Sequence, residues 1–407
     1  MNQKIIIVGG GAAGYFAAIT CAEADPTSEV ILLEKGKHVL QKVKVSGGGR
    51  CNVTHACFEP RELVKNYPRG SKALIGPFNH FAPGDTISWF YDRGVELKAE
   101  DDGRMFPVSD DSQTIIDCLC NSASEAGVKV MTQQNVVSIK QNGAWEIGTQ
   151  QGDFFSAQKL MIATGSSPRI WEIIKELGHT IIEPVPSLFT FNIKDERIKD
   201  LPGLSVPHAT VKVVGEKLEA FGPLLITHWG MSGPAVLKLS AWGALILNKR
   251  NYDFEITVNW LGSEKEADVM EELEVAKHDQ AKKMIFNFNP FPQIPKRLWE
   301  SLLKASGIQN SVRWADLSKE KSRRLSKELT TGIFKVKGKS TFKEEFVTAG
   351  GIHLDEVDFR RFESKIHLGL FFAGEVLDID AITGGFNFQA AWTGGKIAGE
   401  AMAQKMR

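Results

Sequence analysis

Hydrophobic and polar positions in the first part of the chain follow two alternating periods. Ile5-Ile6-Ile7-Val8 is an unbroken apolar run of strand type, and an alanine-rich helical pattern follows it directly. Glu29-Val30-Ile31-Leu32-Leu33 predicts a second strand, and others are predicted around residues 128–130, 136–139, 145–147 and 160–163. One helix carries Ile115, Ile116 and Leu119; another ends near Leu177-Gly178-His179. Strands alternating with helices predict a doubly wound α/β sheet over residues 1–186. After Pro184 and Pro186 come short strands at 188–193, 209–214 and 254–258 without long helices between most of them, so 187–262 is expected to be an inserted β-domain. Residues 263–330 turn helical, with an acidic start at 264–274 and the series Leu298, Leu302, Leu303; 331–345 return from the insertion. Strand signals resume near Phe346, and 346–407 complete the first domain with a helix over 389–402.

Glycine-rich turns stand at both ends of that divided domain. Gly9-Gly10-Gly11-Ala12-Ala13-Gly14 is GxGxxG in the strand-to-helix context it requires. Gly9 permits the tight turn, Gly11 lets backbone N–H groups approach a pyrophosphate, and Gly14 lets the helix lie close to the strand. Glu34 ends the second strand at the distance where an acid takes a ribose hydroxyl, with Lys35 beside it. Ala163 opens onto Thr164-Gly165, another turn at the carboxyl end of a strand. Near the far end, 370–373 run into Gly374-Glu375, then Asp378, Asp380, and Gly384-Gly385-Phe386-Asn387 before the closing helix. The pair of turns points to one long dinucleotide touching both ends of the chain, and FAD fits better than NAD. Lys42 and Val136 are counted with its contacts.

Composition narrows the class. A 407-residue chain with 43% hydrophobic residues buries a large core in more than one domain. Lysine plus arginine equals aspartate plus glutamate at 49 each, so the net field gives no reason to expect nucleic acid or a membrane surface. Five cysteines without framework spacing favour a reducing compartment, and Cys118-x-Cys120 is too close for a usual zinc pair, so no metal is expected. No leader-like segment precedes Ile5 and no apolar run is long enough to span a bilayer, so a cytoplasmic protein is expected.

Several groups carry candidate chemistry beside a bland alternative. Glu375 is placed to accept hydrogen bonds from ribityl hydroxyls, or is a surface acid at a strand end. Asp378 and Asp380 either join it, cap the following turn or face solvent. The N–H groups opening the closing helix suit the anionic edge of a reduced flavin. Gly394-Gly395 inside that helix requires close packing to offset about 1 kcal/mol per glycine. Ser46-Gly47-Gly48-Gly49-Arg50-Cys51-Asn52 offers a nest of backbone donors plus a guanidinium, or is a tight surface loop. Cys51 is a candidate redox thiol or a small packing residue. Residues 227–234, Thr-His-Trp-Gly-Met-Ser-Gly-Pro, end in a helix start with Ser232 as N-cap candidate, and present His228 for substrate binding or proton transfer, or as a domain contact. Lys319, Lys321, Arg323, Arg324, Lys327, Lys335, Lys337, Lys339 and Lys343 form either a solvated face or a phosphate-binding patch.

Together, Gly9 to Gly14 with Glu34, the 46–52 and 227–234 motifs, Thr348-Ala349-Gly350-Gly351, and the 373–378 and 384–387 segments resemble the BaiN/RdsA flavoproteins, also labelled aminoacetone oxidase family FAD-binding enzymes. The match spans nearly the whole chain. The resemblance implies FAD in a glutathione-reductase-like domain with an inserted β-domain and a helical subdomain, and NAD(P)/FAD-dependent oxidoreductase or amine oxidase activity. The chain departs from that pattern after Gly165, where Ser166-Ser167-Pro168-Arg169 replaces a longer glycine-rich turn, and at His55, where the family usually has asparagine.

The leading expectation is an FAD-dependent oxidoreductase acting on a small molecule that enters between cofactor and inserted domains, with NAD(P)H as a transient co-substrate. No second glycine fingerprint follows Thr164-Gly165. An oxygen-reducing amine oxidase, an RNA-modifying flavoprotein and an FAD-carrying redox sensor are the alternatives. Oligomeric state is open.

Overall fold

A computed structural model describes residues 3–340 and 347–405, and the chain divides into two compact units, Met1–Val185 with Lys343–Arg407, and Pro186–Phe342. The expected boundary near Phe346, and Lys343 of the basic run, lie outside the described residues.

The first unit is built on a seven-stranded sheet in the order Val357–Asp358, Glu363–Ser364, Leu370–Phe372, Lys159–Ile162, Lys4–Val8, Glu29–Leu33, Lys129–Met131. The last five of these run parallel, with Ile6 facing Leu160 on one side and Ile31 on the other. Ile5, Ile6 and Ile7 are fully buried, as expected of a strand covered on both faces. Strand order reverses beside Lys4–Val8: the chain goes first to Glu29–Leu33 and returns on the other side at Lys159–Ile162. Ligands of open α/β sheets collect at the carboxyl end of such a switch point.

The helix Ala12–Ala24 is buried almost all round, because it lies between the sheet and the closing helix Phe386–Ala403. A Cβ on Gly395 would come within 2.7 Å of the Ala13 carbonyl oxygen, and one on Gly399 within 2.7 Å of that of Ala17. Gly395 and Gly399 therefore serve backbone-to-backbone packing that repays their propensity cost, while Gly394 makes room for the Ala373 and Phe362 side chains.

In the second unit six strands close a barrel in the order Thr190–Ile193, Gly230–Ser232, Glu219–Thr227, Ser205–Val213, Asp253–Asn259, Gly332–Ser340. Ala220, Leu224 and Ile226 point inward while Glu219, Phe221 and Pro223 point out, the period of a half-buried strand. The return segment is thus the sixth barrel strand, pairing with Thr190–Ile193 and Asp253–Asn259 and leaving no open edge. Nor do the helices Glu266–Asp279, Lys296–Ala305 and Lys319–Thr331 have a core of their own: Leu273, Leu298, Leu302 and Leu325 belong to the same apolar cluster as Val211 and Ile256 of the barrel. The helix Pro234–Lys249 is capped by Gly233, not Ser232. Ser232 ends a strand, and its hydroxyl meets that of Thr190 at 3.0 Å.

Candidate cofactor site

At the head of the first helix each backbone N–H is accounted for up to Gly10 and then no further. Gly9 donates to the Leu33 carbonyl at 2.8 Å, Gly10 donates to Glu34 Oε2 at 2.8 Å, and the ladder resumes when Tyr15 donates to the Gly11 carbonyl at 3.0 Å. Among the described residues no protein acceptor faces the N–H groups of Gly11, Ala12, Ala13 and Gly14. A Cβ on Gly11 would meet nothing within 4 Å, so the cradle in front of these donors is open. Glu34 is fastened across the turn, its second oxygen accepting from Gly36 at 2.7 Å, and each oxygen keeps a lone pair for a ribose hydroxyl. Glu34, Lys35, Val136, Thr164 and Arg169 line the cleft that continues from Gly9.

The segment near the far end of the chain meets this cradle. Gly374 has φ +76°, and a Cβ there would lie 3.3 Å from the Cβ of Ala13. Glu375 pairs with Lys42, and its Oε2 lies 3.7 Å from where Gly165 would carry a Cβ. Gly165 itself needs its φ of +63°, since Ser167 donates back to its carbonyl at 2.9 Å and the helix Pro168–Glu176 starts at once. That short turn is where the chain departs from the longer glycine-rich pattern.

Gly384 and Gly385, at φ +131° and +88°, open the closing helix, whose first closed bond runs from Gln389 N–H to the Gly385 carbonyl at 3.0 Å. The N–H groups of Phe386, Asn387 and Phe388 have no protein acceptor among the described residues. Two helix starts with unpaired donors, an open cradle and a carboxylate at the strand end fit a dinucleotide whose pyrophosphate and anionic ring edge both need N–H groups.

Several expected ligands are instead struts of the site. Cys51 is fully buried at φ +61°, and burial pushes its thiol up to about 12. A side chain with no exposed surface does not line an open cradle, so the candidate redox thiol is corrected to a packing residue. Arg50 turns away from the nest: it pairs with Glu100 at 2.6 Å and Asp110 at 3.5 Å and stacks over the Phe106 ring at 4.0 Å. With its amide oriented to donate to the Thr54 carbonyl at 3.0 Å, Asn52 accepts from Gly385 N–H at 2.9 Å and ties the Ser46–Gly49 turn to the closing helix. A Cβ on Gly47 would strike Phe106, whereas Gly48 and Gly49 face open space. Ser46 donates to the Val43 carbonyl at 2.9 Å.

The acids after Glu375 also face inward. Asp378 accepts from Gly350 N–H at 2.9 Å, and burial holds its carboxyl above the usual range. Asp380 is fully buried and engages Arg69 with both oxygens. The Asn387 side chain spans the turn, accepting from Ala381 N–H at 2.9 Å and donating to its carbonyl at 3.2 Å. Phe386 is buried beneath the His55 ring at 4.6 Å, and its carbonyl accepts from Tyr67 Oη at 2.6 Å.

Sequence reading missed Tyr67, Arg69 and Gln389. Gln389 Oε1 accepts from the hydroxyls of Thr54 at 2.6 Å and Thr86 at 3.0 Å, while its Nε2 donates to Thr393 at 3.1 Å. A glutamine three residues into an apolar helix was the available signal for this buried network. His228 is exposed in the second unit, in the turn joining Glu219–Thr227 to Gly230–Ser232. Among the described residues no cluster suited to a metal appears, and no helix is long and apolar enough to cross a membrane.

A switch-point cradle completed from the other end of the chain defines the class: a flavoprotein oxidoreductase. The chain belongs to the HI0933-like Rossmann-domain family, whose model matches residues 3–401, so the family resemblance of the motifs is borne out. It is 25% identical to the 3-dehydro-bile acid delta(4,6)-reductase of Clostridium scindens, covering 99% of this chain and 100% of that one. It is 28% identical to the ribosomal RNA dihydrouridine synthase of Escherichia coli, covering 95% of each. Among solved structures it is similar in fold to a flavocytochrome c3 fumarate reductase, with TM-score 0.52 and 16% identity over 99% of this chain and 78% of that one. It is likewise similar to the 3-ketosteroid-delta4-(5alpha)-dehydrogenase of Rhodococcus jostii RHA1, with TM-score 0.52 and 13% identity over 99% and 97%.

Proposed function

We propose that the chain holds FAD and reduces a carbon–carbon double bond conjugated to a carbonyl, with NAD(P)H as electron donor. The observation that carries the cofactor assignment is that two helix starts from opposite parts of the chain each keep unpaired N–H groups, with the Gly374 turn packed against Ala13 at the first of them. The N–H groups of Gly11, Ala12, Ala13 and Gly14 face the pyrophosphate, Glu34 takes a ribose hydroxyl, and Lys42 and Glu375 bracket the ribityl chain. The start of the closing helix faces the ring edge that becomes anionic on reduction.

The substrate class comes from what the curated relatives' names share. One reduces a delta(4,6) 3-dehydro-bile acid and the others make dihydrouridine. Uridine and the delta(4) bond take hydride at the carbon β to a carbonyl and a proton at the α carbon, and the delta(6) bond is the vinylogous case, with hydride at the δ carbon. FAD bound there and reduced by NAD(P)H would supply such a hydride, returning to its oxidised form. The residues of this chain orient it and keep the neighbouring groups neutral or internally paired, as Arg69 and Asp380 are.

A small molecule is favoured over RNA by charge placement. On the barrel exterior Lys335 stands opposite Glu255 and Lys337 opposite Asp253, so two cations of the basic run have an acid as cross-strand neighbour, and the chain as a whole carries as many acids as bases, 49 of each.

The test is anaerobic mixing of the FAD-loaded protein with NADH or NADPH, followed by a conjugated enone. Loss of the oxidised-flavin band and its return on adding the enone are expected. Return only with oxygen, alongside amine-dependent peroxide release, would replace this function with an oxidase.

A further inference from the structure

We infer that Gln134 selects the base of the cofactor, its side-chain oxygen accepting a hydrogen bond from the 6-amino group of the adenine of FAD. The inference rests on the FAD assignment above and is independent of substrate and electron donor.

Glu34, the acid that takes a ribose hydroxyl in that assignment, lines one cleft together with Gln134, Val136, Arg169 and Ile170. A base joined to that ribose has this cleft to enter. Gln134 is fixed beside Glu34 by its backbone, its N–H donating to the Glu34 carbonyl at 2.8 Å. Its side chain is another matter: Oε1 is closed off from solvent and has no hydrogen-bond partner. Among the described residues seven buried side-chain atoms lack a partner, and Gln134 Oε1 is the one that belongs to a residue lining this cleft. An acceptor left in that state is costly to the folded chain, so it marks a place where a donor arrives from outside.

The chemistry of the donor follows. An adenine attached to ribose through N9 carries one N–H group, the 6-amino group. The last torsion of a glutamine side chain is broad, and no protein partner holds Oε1, so the amide is free to turn toward a base edge. With Oε1 on the 6-amino group, Nε2 can donate to the neighbouring ring nitrogen, the two-bond pairing by which glutamine distinguishes adenine from other bases.

The short turn after Gly165 supplies the rest of the cleft. The helix Pro168–Glu176 begins at once, which brings Arg169 and Ile170 to the cleft, and Arg169 Nη2 donates to the Val137 carbonyl at 3.3 Å. That bond ties the helix start to the strand Val136–Asn142. Val136 and Ile170 offer apolar surface to a planar ring; Gln134 is the polar group that tells one ring from another.

The experiment is fluorescence titration of the full chain, freed of flavin, with FAD and with the FAD analogue whose base is purine and so lacks the 6-amino group, in wild type and Gln134→Ala. Wild type is expected to bind FAD about tenfold more tightly than the analogue, and Gln134→Ala to bind both alike, near the affinity of wild type for the analogue. Because Oε1 makes no bond within the protein, the flavin-free variant is expected to keep the wild-type unfolding midpoint. Equal affinity of wild type for the two dinucleotides, or an undiminished preference for FAD in Gln134→Ala, would overturn the base contact and leave the FAD assignment standing. Failure of wild type to bind FAD at all would sink that assignment, and the base contact with it.

Discussion

Gly14 lies so close to Gly9 that a Cβ on Gly14 would fall 1.9 Å from the Gly9 carbonyl oxygen. The first helix and the phosphate turn are therefore one rigid piece, and any side chain at residue 14 pries them apart. Gly11, three residues earlier, faces open space.

These two glycines separate folding from binding. Gly14→Ala is expected to destabilise the protein by about 3 kcal/mol and abolish FAD binding. Gly11→Ala is expected to change stability by about 1 kcal/mol or less, while its methyl group occupies the cradle and weakens FAD at least about tenfold. Urea unfolding and a flavin-fluorescence titration check both. Wild-type FAD affinity in Gly11→Ala would place the pyrophosphate elsewhere.

Arg69 and Asp380 should behave as a buried ion pair that stiffens the loop before the closing helix. Asp380→Asn leaves the Arg69 guanidinium, only 12% exposed, short of its counter-charge. A loss of about 3 kcal/mol is expected. The double variant that combines Arg69→Met with Asp380→Leu should cost less than either single change, as measured by thermal unfolding, since no unpaired charge remains.

Stability should fall on mild acidification through His179. Its ring is buried between Glu356 Oε2 at 2.9 Å and Ser364 Oγ at 3.0 Å. Ser364 Oγ already accepts from the N–H groups of Ile366 and His367, so its own proton points at His179 Nε2 and the ring is neutral. Burial holds the His179 pKa below its ordinary 6.5. The unfolded chain takes up the proton first, so this contribution is complete above about pH 6.5 and is lost as pH falls below it. Denaturant midpoints at pH 8 and 5.5 should differ in wild type, and the difference should shrink in His179→Gln.

Cys51→Ala should leave turnover unchanged and lower stability by about 1 kcal/mol for the lost buried sulfur. Alkylation at pH 8 should spare Cys51 in the native protein and reach it in urea, because the fully buried thiol is pushed up to about 12. A large fall in turnover would restore a redox role.

Local pattern by itself determined the sheet, the phosphate turn and the sense that both chain ends serve one ligand. Ile5 to Val8, Gly9 to Gly14 and Glu34 are legible because backbone geometry and burial on both strand faces constrain residue type within a few positions. Only tertiary structure decided which polar side chains face the ligand and which brace the site. Arg50, Asn52, Asp378, Asp380 and Asn387 have the chemistry of ligands, but their partners Glu100, Gly385, Gly350, Arg69 and Ala381 are set by how loops meet after folding. The closing of the barrel by Gly332–Ser340 was hidden for the same reason: a strand's alternation shows one buried face but not which partners it pairs with across more than a hundred residues of intervening chain.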